Sequence, residues 1–369
     1  MFKIFKLILV ILVFQASTAF AVNVAVIAPK NENMTKFGQD LVEGVRIAVD
    51  IANQKGGVLG EKINLIEVED KCEDLSAVST AQMLSFASSP QEKLSLVIGP
   101  YCQNKFDEIS EIYAMGKIIR VTPMPLSSAQ AKHEWKGLFK IGGEVRSQAQ
   151  KFTEVYQKKF AGKNLAFVYD SRLEATAETA FRVQELFIRD GLSHQITLYD
   201  AYQYQGDYVK LAKEILLNNQ AAYLLGETKT IARLAQSLQE RNSEVVLFTD
   251  EYFATAYFFK EMASFVEGVY FLTPENLKDK PFFTEELVKL RLAGKEPRGL
   301  GIYGYAAVKL WIDMVETSQS FDFSKVTAQV EKSSFKLPWG EVRFSLGNAS
   351  RFADYAMYQI VNGEYTQVH

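Results

Sequence analysis

Short apolar runs rich in Val, Ile and Leu alternate with stretches of helical spacing along most of the 369 residues, and this constrains the fold more than anything else in the chain. NVAVIAP opens the series. Residues 36–54 then set Leu41, Val45, Ala48 and Ala52 on one helical face, and Gly56-Gly57 stops the helix. Further strand-like runs are INLIEV, LSLVIGP, KIIRVTP, NLAFVYD, QITLYDA, AAYLLGE, EVVLFTD and GVYFLTP. Helical patterns such as ATAETAFRVQELFIRD, DYVKLAKEILLNN and TKTIARLAQSLQER fall between them. Alternation of this kind predicts parallel sheets built of right-handed βαβ units. The runs are apolar throughout rather than at every second position, which fits strands covered on both faces.

The series breaks once. KIIRVTP…FKIGGEV, 117–145, reads as the end of one βα set, and NLAFVYD starts a second that ends at GVYFLTPEN. Beyond it the pattern turns helical in PFFTEELVKLRLAG and IYGYAAVKLWIDMVE. Late helices without new strands suggest that the chain returns to finish its first half. The expectation is an α/β protein of two open, doubly wound lobes facing each other across a cleft. Residues 22–143 plus 274–338 are expected to form lobe 1, and 144–273 plus 339–369 lobe 2.

The first 21 residues, MFKIFKLILVILVFQASTAFA, have the layout of a cleavable secretory signal: two lysines, an apolar run from Leu7 to Phe14, then Ala19-Phe20-Ala21. The apolar run is too short to span a bilayer, and no cysteine near Ala21 is available for a lipid anchor. The expected location is a periplasm, which is oxidising, so Cys72 and Cys102 read as one disulfide rather than two reactive thiols. A net charge of −3 with no basic block argues against nucleic acid or an anionic membrane as partner.

Several chemistries lack their sequence signals. There is no Walker P-loop, no G-x-S-x-G elbow, and GGVLGEK follows a helix and precedes a strand, the reverse of a dinucleotide fingerprint. His133, His194 and His369 are isolated and match no metal spacing. No cofactor, metal or catalytic residue is expected, although an Asp/Glu pair acting as a hydrolase is not eliminated by sequence.

In open α/β sheets ligands sit outside the carboxyl ends of the strands, so the loops after each strand are the candidates. GPYCQNK offers Tyr101 and Gln103. TPMPLSSAQ offers Met124, Ser127 and Ser128, whose hydroxyls are equally suited to capping a helix or to holding an anion. Glu174, Glu227 and Glu251 fall at or just after strand ends. Singly each reads as a helix cap; together they point to a cationic or amine-bearing ligand.

The ordered set NVAVIAP, FGQDLVEGVRIAVDIANQKGGVLGEKINLIEVEDKCEDLSAV, LVIGPYCQN, IIRVTP, LAFVYD, GYAAVKLW and LPWGEVRFSLGN resembles the periplasmic branched-chain-amino-acid-type binding proteins of ABC transporters, over essentially all of the chain after the signal. The resemblance implies a type I periplasmic binding fold and a monomer that closes on a small ligand. It also implies delivery to a permease and ATPase in the inner membrane. It implies a disulfide between the positions of Cys72 and Cys102, an aromatic wall at Phe37, a contact at Gln103, and a carboxylate grip within Met124–Ser128. Pro125-Leu126 interrupts the usual run of small residues there, which favours Ser127 and Ser128. Glu251 matches the family's ammonium acceptor. Glu174 and Glu227 stand where tyrosine is usual, so a basic amino acid, an amide or a polyamine joins the aliphatic amino acids as an expected ligand. A sensory receptor of the same fold is the alternative to a transport component.

Overall fold

The computed structural model describes residues 21–368, except 30–35, 72–73, 87–88, 90–92, 103–104, 125, 227, 251–265, 276–280, 296, 298–299, 346–347, 350–353 and 363. The expected signal segment therefore lies outside the described residues. So do Cys72, Gln103, Glu227 and Glu251, and the side chain of Phe37.

Two sheets form the frame. The first holds five parallel strands in the spatial order β2-β1-β3-β4-β5. These are β1 (Val22–Ala28), β2 (Ile63–Glu69), β3 (Leu94–Ile98), β4 (Ile119–Thr122) and β5 (Leu138–Lys140). The second repeats the arrangement as β7-β6-β8-β9-β10. Its strands are β6 (Leu165–Tyr169), β7 (Ile196–Asp200), β8 (Ala221–Leu224), β9 (Val246–Asp250) and β10 (Tyr270–Pro274). In each sheet the order reverses once, between β1 and β3 and between β6 and β8, and a crevice opens at such a reversal outside the strand ends. β1 is buried at every position, as its unbroken apolar run requires.

Helices cover the sheets: α1 (Lys36–Gln54), α2 (Asp74–Ser85), α3 (Phe106–Met115), α4 (Ser128–Lys132), α5 (Val145–Lys159), α6 (Glu174–Arg189), α7 (Tyr208–Asn218), α8 (Thr228–Arg241), α9 (Pro281–Leu292), α10 (Gly301–Ser318) and α11 (Phe323–Val330). On one face of the second sheet the rings of Phe152, Phe167, Tyr223 and Phe248 pack together, with Phe152 and Tyr223 centroids 4.3 Å apart. Tilted or edge-on ring pairs of this kind add about 1 kcal/mol each beyond area burial.

The chain does return to the first sheet, but not through helices alone. The strands β11 (Ser334–Leu337), β12 (Gly340–Ser345) and β13 (Asn348–Ala349) extend that sheet beyond β5, and β14 (Tyr355–Val361) and β15 (Glu364–Val368) extend the second beyond β10. This corrects two expectations: new strands follow the late helices, and the segment after 339 first belongs to the sheet of lobe 1. The chain leaves that sheet for the last time between Ala349 and Tyr355. The reason is visible in β12, whose residues alternate between buried and exposed, the period of an antiparallel strand with one face in water.

At the first crossing the backbone is tightly held. Leu126 donates its N–H to Gly143 O at 3.2 Å, and Val145 donates to Leu126 O at 3.1 Å. A methyl group on Gly143 would lie 2.5 Å from the Tyr355 ring, so the β14 side chain packs against bare backbone there. Near the second crossing Tyr303 donates its hydroxyl to Glu275 O at 3.1 Å.

α1 and α10 approach so closely that their glycines are obligatory. A methyl on Gly44 would sit 1.8 Å from Gly301 O, and one on Gly304 would sit 2.2 Å from Leu41 O. This contact lets α10 bury Ile302, Tyr303, Ala306, Leu310 and Trp311 beneath α1. Gly44→Ala is expected to force the helices apart and to lower unfolding free energy by about 3 kcal/mol in urea denaturation, the upper range for overpacking. An effect below about 0.5 kcal/mol, the size of an innocuous surface change, would show that the helices slide freely.

Candidate functional site

The strand ends of both lobes are built from carboxylates that the turns around them satisfy. Asp70, buried at the end of β2, accepts the backbone N–H of Cys102 at 2.8 Å. Asp170, buried after β6, accepts the Arg172 backbone N–H at 3.0 Å and its guanidinium at 2.6 and 2.9 Å. Asp200 accepts the N–H groups of Ser171 at 3.2 Å and Tyr202 at 3.1 Å. Asp250, buried at the end of β9, accepts Gln148 Nε2 at 3.0 Å. Arg172 also lies over the Tyr202 ring, 4.9 Å from its centroid.

The β3 exit is fixed from below. Arg120 on β4 is buried, yet its Nε donates to Gly99 O at 2.8 Å, its Nη1 to Ser110 Oγ at 2.6 Å, and its guanidinium lies 4.6 Å from the Phe106 ring centroid. Burial lowers its pKa to about 10. Tyr101 and Cys102 follow a cis Gly99–Pro100 bond. Tyr101 N–H donates to Ile27 O at 3.0 Å, and its side chain lies in the core of the first lobe. Cys102 is half-buried, and no described cysteine is free.

The β4 exit separates the residues expected there. Met124 and Leu126 are buried, Met124 in the main core and Leu126 against Phe106 and Leu138. Ser127 is fully buried and spends its polar groups on a capping box: its Oγ accepts Gln130 N–H at 3.1 Å and its own N–H donates to Gln130 Oε1 at 3.0 Å. Ser128 does something else. Its N–H donates to Glu178 Oε2 at 2.8 Å and its hydroxyl to Glu178 Oε1, across the cleft to α6. Glu174 begins the same helix and is exposed. Glu178 lies one turn on, four residues from Glu174, and so shares its helical face. That spacing is present in the sequence, but Glu178 lies a turn inside the helix rather than at a strand end.

Lys140 on β5 fixes the far end of α4. The buried ammonium donates to Ala131 O at 2.8 Å and His133 O at 2.7 Å, the last carbonyls of that helix. A cavity of about 370 Å³ opens at the opposite end of the first sheet, lined by Val22, Lys93, Ser95, Lys117 and Phe323. It faces the strand starts rather than the strand exits where ligands of open α/β sheets sit, and the one helix N-terminus on its wall, that of α11, is already capped by Asp322, so it is not the ligand cleft. Among the described residues no cluster of His, Cys, Asp and Glu is placed to hold a metal ion, and no helix is long and apolar enough to cross a membrane.

Two facing α/β lobes with their polar groups concentrated at the strand exits define a bilobal binding protein. Residues 21–364 match the periplasmic binding protein family, and the chain belongs to it. The family consists of solute-binding proteins. An amino acid binding protein of Pseudomonas aeruginosa is 23% identical over 356 residues, 94% of this chain and 92% of that one. A leucine-binding protein from Thermotoga maritima superimposes with a TM-score of 0.76 at 20% identity, covering 95% of this chain and 98% of that one. An ABC-transporter solute-binding protein from R. palustris, solved with benzoate, gives a TM-score of 0.70 at 15% identity, covering 94% and 95%.

Burial drives the Lys140 pKa from 10.5 down to about 8, against the opposing pull of Glu134, Asp107 and Glu144 and with a smaller contribution from Arg120. Between those two values the unfolded chain binds more protons than the folded one, so stability should rise with pH through this window. The penalty for burying the ammonium is complete below pH 8 and relieved as pH approaches 10.5. Urea midpoints at pH 7.5 and 9.5 should show this gain in the native protein and lose it in Lys140→Met; equal slopes would contradict the assignment.

Proposed function

We propose that this chain is a periplasmic receptor that captures a small carboxylate-bearing ligand, an amino acid or a close relative, between its lobes and delivers it to an ABC importer. Closure is a hinge motion at the crossings between sheets, and the ligand is carried unchanged. One observation carries the reading: the amide and hydroxyl of Ser128 together grip a carboxylate across the cleft. A charged acceptor taking two converging donors makes the strong kind of hydrogen bond that a ligand carboxylate requires. The names of the similar proteins support it, because leucine and benzoate share a carboxylate on an apolar body.

In this reading Glu251 accepts the ligand ammonium, Phe37 packs on its apolar part, and Gln103, Glu174 and Glu227 line the chamber. Cys102 pairs with Cys72. Supporting that pair, Asp70 is two residues before Cys72 and already holds the Cys102 N–H. The bond would brace the β3 exit rather than the fold. The first 21 residues act as a signal cleaved after Ala21, leaving a soluble periplasmic monomer.

Thermal unfolding of refolded, ligand-stripped protein against about 1 mM amino acids, benzoates, amides and polyamines tests this. A micromolar ligand adds about 4 kcal/mol, enough to move the midpoint by several degrees. A response confined to polyamines or amides would overturn the carboxylate reading. Glu251→Ala should abolish the response to an α-amino acid while sparing a carboxylate without an amine; an unchanged amino-acid response would remove Glu251 from its role.

A further inference from the structure

We propose that Glu178 is a specificity-determining residue of this cleft, an internal carboxylate that holds the Ser128 donors and competes for them with the carboxylate of an incoming ligand. The inference rests on the preceding reading of Ser128. The two residues are 50 positions apart, and they come from α4 of the first lobe and α6 of the second. Glu178 keeps only 16% of its side chain exposed, against 66% for Glu185 on the same helix. A carboxylate leaves water at a cost unless it is hydrogen-bonded, and the Ser128 amide and hydroxyl are the bonds that compensate it.

The obvious alternative partner on its own helix is not used closely. Arg182 stands 4.0 Å from Glu178 but 2.9 Å from Glu185, with which it makes its hydrogen bond. Both oxygens of Glu178 therefore look across the cleft, one to an N–H and one to an O–H. A second carboxylate cannot share those donors, because two like charges at contact distance oppose each other's ionisation. A ligand carboxylate must displace Glu178, whereas a neutral or cationic group would meet Glu178 as an acceptor. The same contact draws the lobes together before any ligand arrives.

The test compares native protein, Glu178→Ala and Glu178→Gln in two measurements. Calorimetric titration with L-leucine and with benzoate reads the competition, and small-angle scattering of ligand-stripped protein reads the lobe contact. With the competitor removed, the dissociation constant of whichever carboxylate binds should fall about tenfold in Glu178→Ala. The radius of gyration of the ligand-stripped variant should rise. Glu178→Gln keeps the chain length without the charge and should change both in the same direction. It also replaces Glu178→Ala if circular dichroism shows that the alanine variant is unfolded. Unchanged or weaker carboxylate binding in a folded variant overturns the proposal. If neither probe binds any of the proteins, the carboxylate reading of Ser128 fails, and scattering alone judges the contact: an unchanged radius then overturns it.

Discussion

A parallel strand covered on both faces can present polar groups to a ligand only where it ends. That constraint organises this molecule. Each crossover helix buries a face of its sheet, so charge is pushed to the strand exits, and there the chain must satisfy it locally. Asp70, Asp170, Asp200 and Asp250 are the result: each closes a sheet strand, and each accepts hydrogen bonds from a neighbouring loop or helix. Asp70 thereby ties the β2 exit to the β3 exit, and Asp200 ties β7 to β6. The cleft floor is thus a network of fixed anions and turns, and a recognition group standing on it is held in place. Arg120 extends the network inward, holding Gly99 O and Ser110 Oγ from inside the first lobe.

The parallel half of each lobe was legible in the sequence because an unbroken apolar run leaves little choice. Every such run singled out, from NVAVIAP to GVYFLTP, overlaps a strand. β5 was hidden by its length, three residues ending in a buried lysine whose charge is used to cap α4. β11, β12, β14 and β15 were hidden for a different reason. They pair antiparallel, and in β11 and β12 only alternate residues are buried, so no continuous apolar run marks them.

The cleft was legible as a set of loops and less so as a set of side chains. Two adjacent serines at the start of a helix are equivalent on paper. In the fold Ser127 takes the cap position with Gln130, and only then does Ser128, one residue on, turn its amide and hydroxyl outward. Glu174 and Glu178 present the same ambiguity a helical turn apart. Which of them reaches the opposite lobe depends on the distance between lobes, a quantity that no local pattern encodes.

That distance also shapes the energetics of recognition. Exchanging the Glu178 carboxylate for a ligand carboxylate at Ser128 conserves both hydrogen bonds, so the exchange itself contributes little net free energy. What a charge-assisted hydrogen bond is worth, about 1.5–3 kcal/mol, is available to the apo contact and to the ligand contact alike. Net affinity must then come from the rest of the ligand, its apolar body and any ammonium. Discrimination among carboxylates would accordingly move away from Ser128, which recognises the class, toward the second lobe and the loops around it, which distinguish its members. A grip that is already occupied from within is in this sense a filter: it passes only ligands whose other contacts exceed what Glu178 provides.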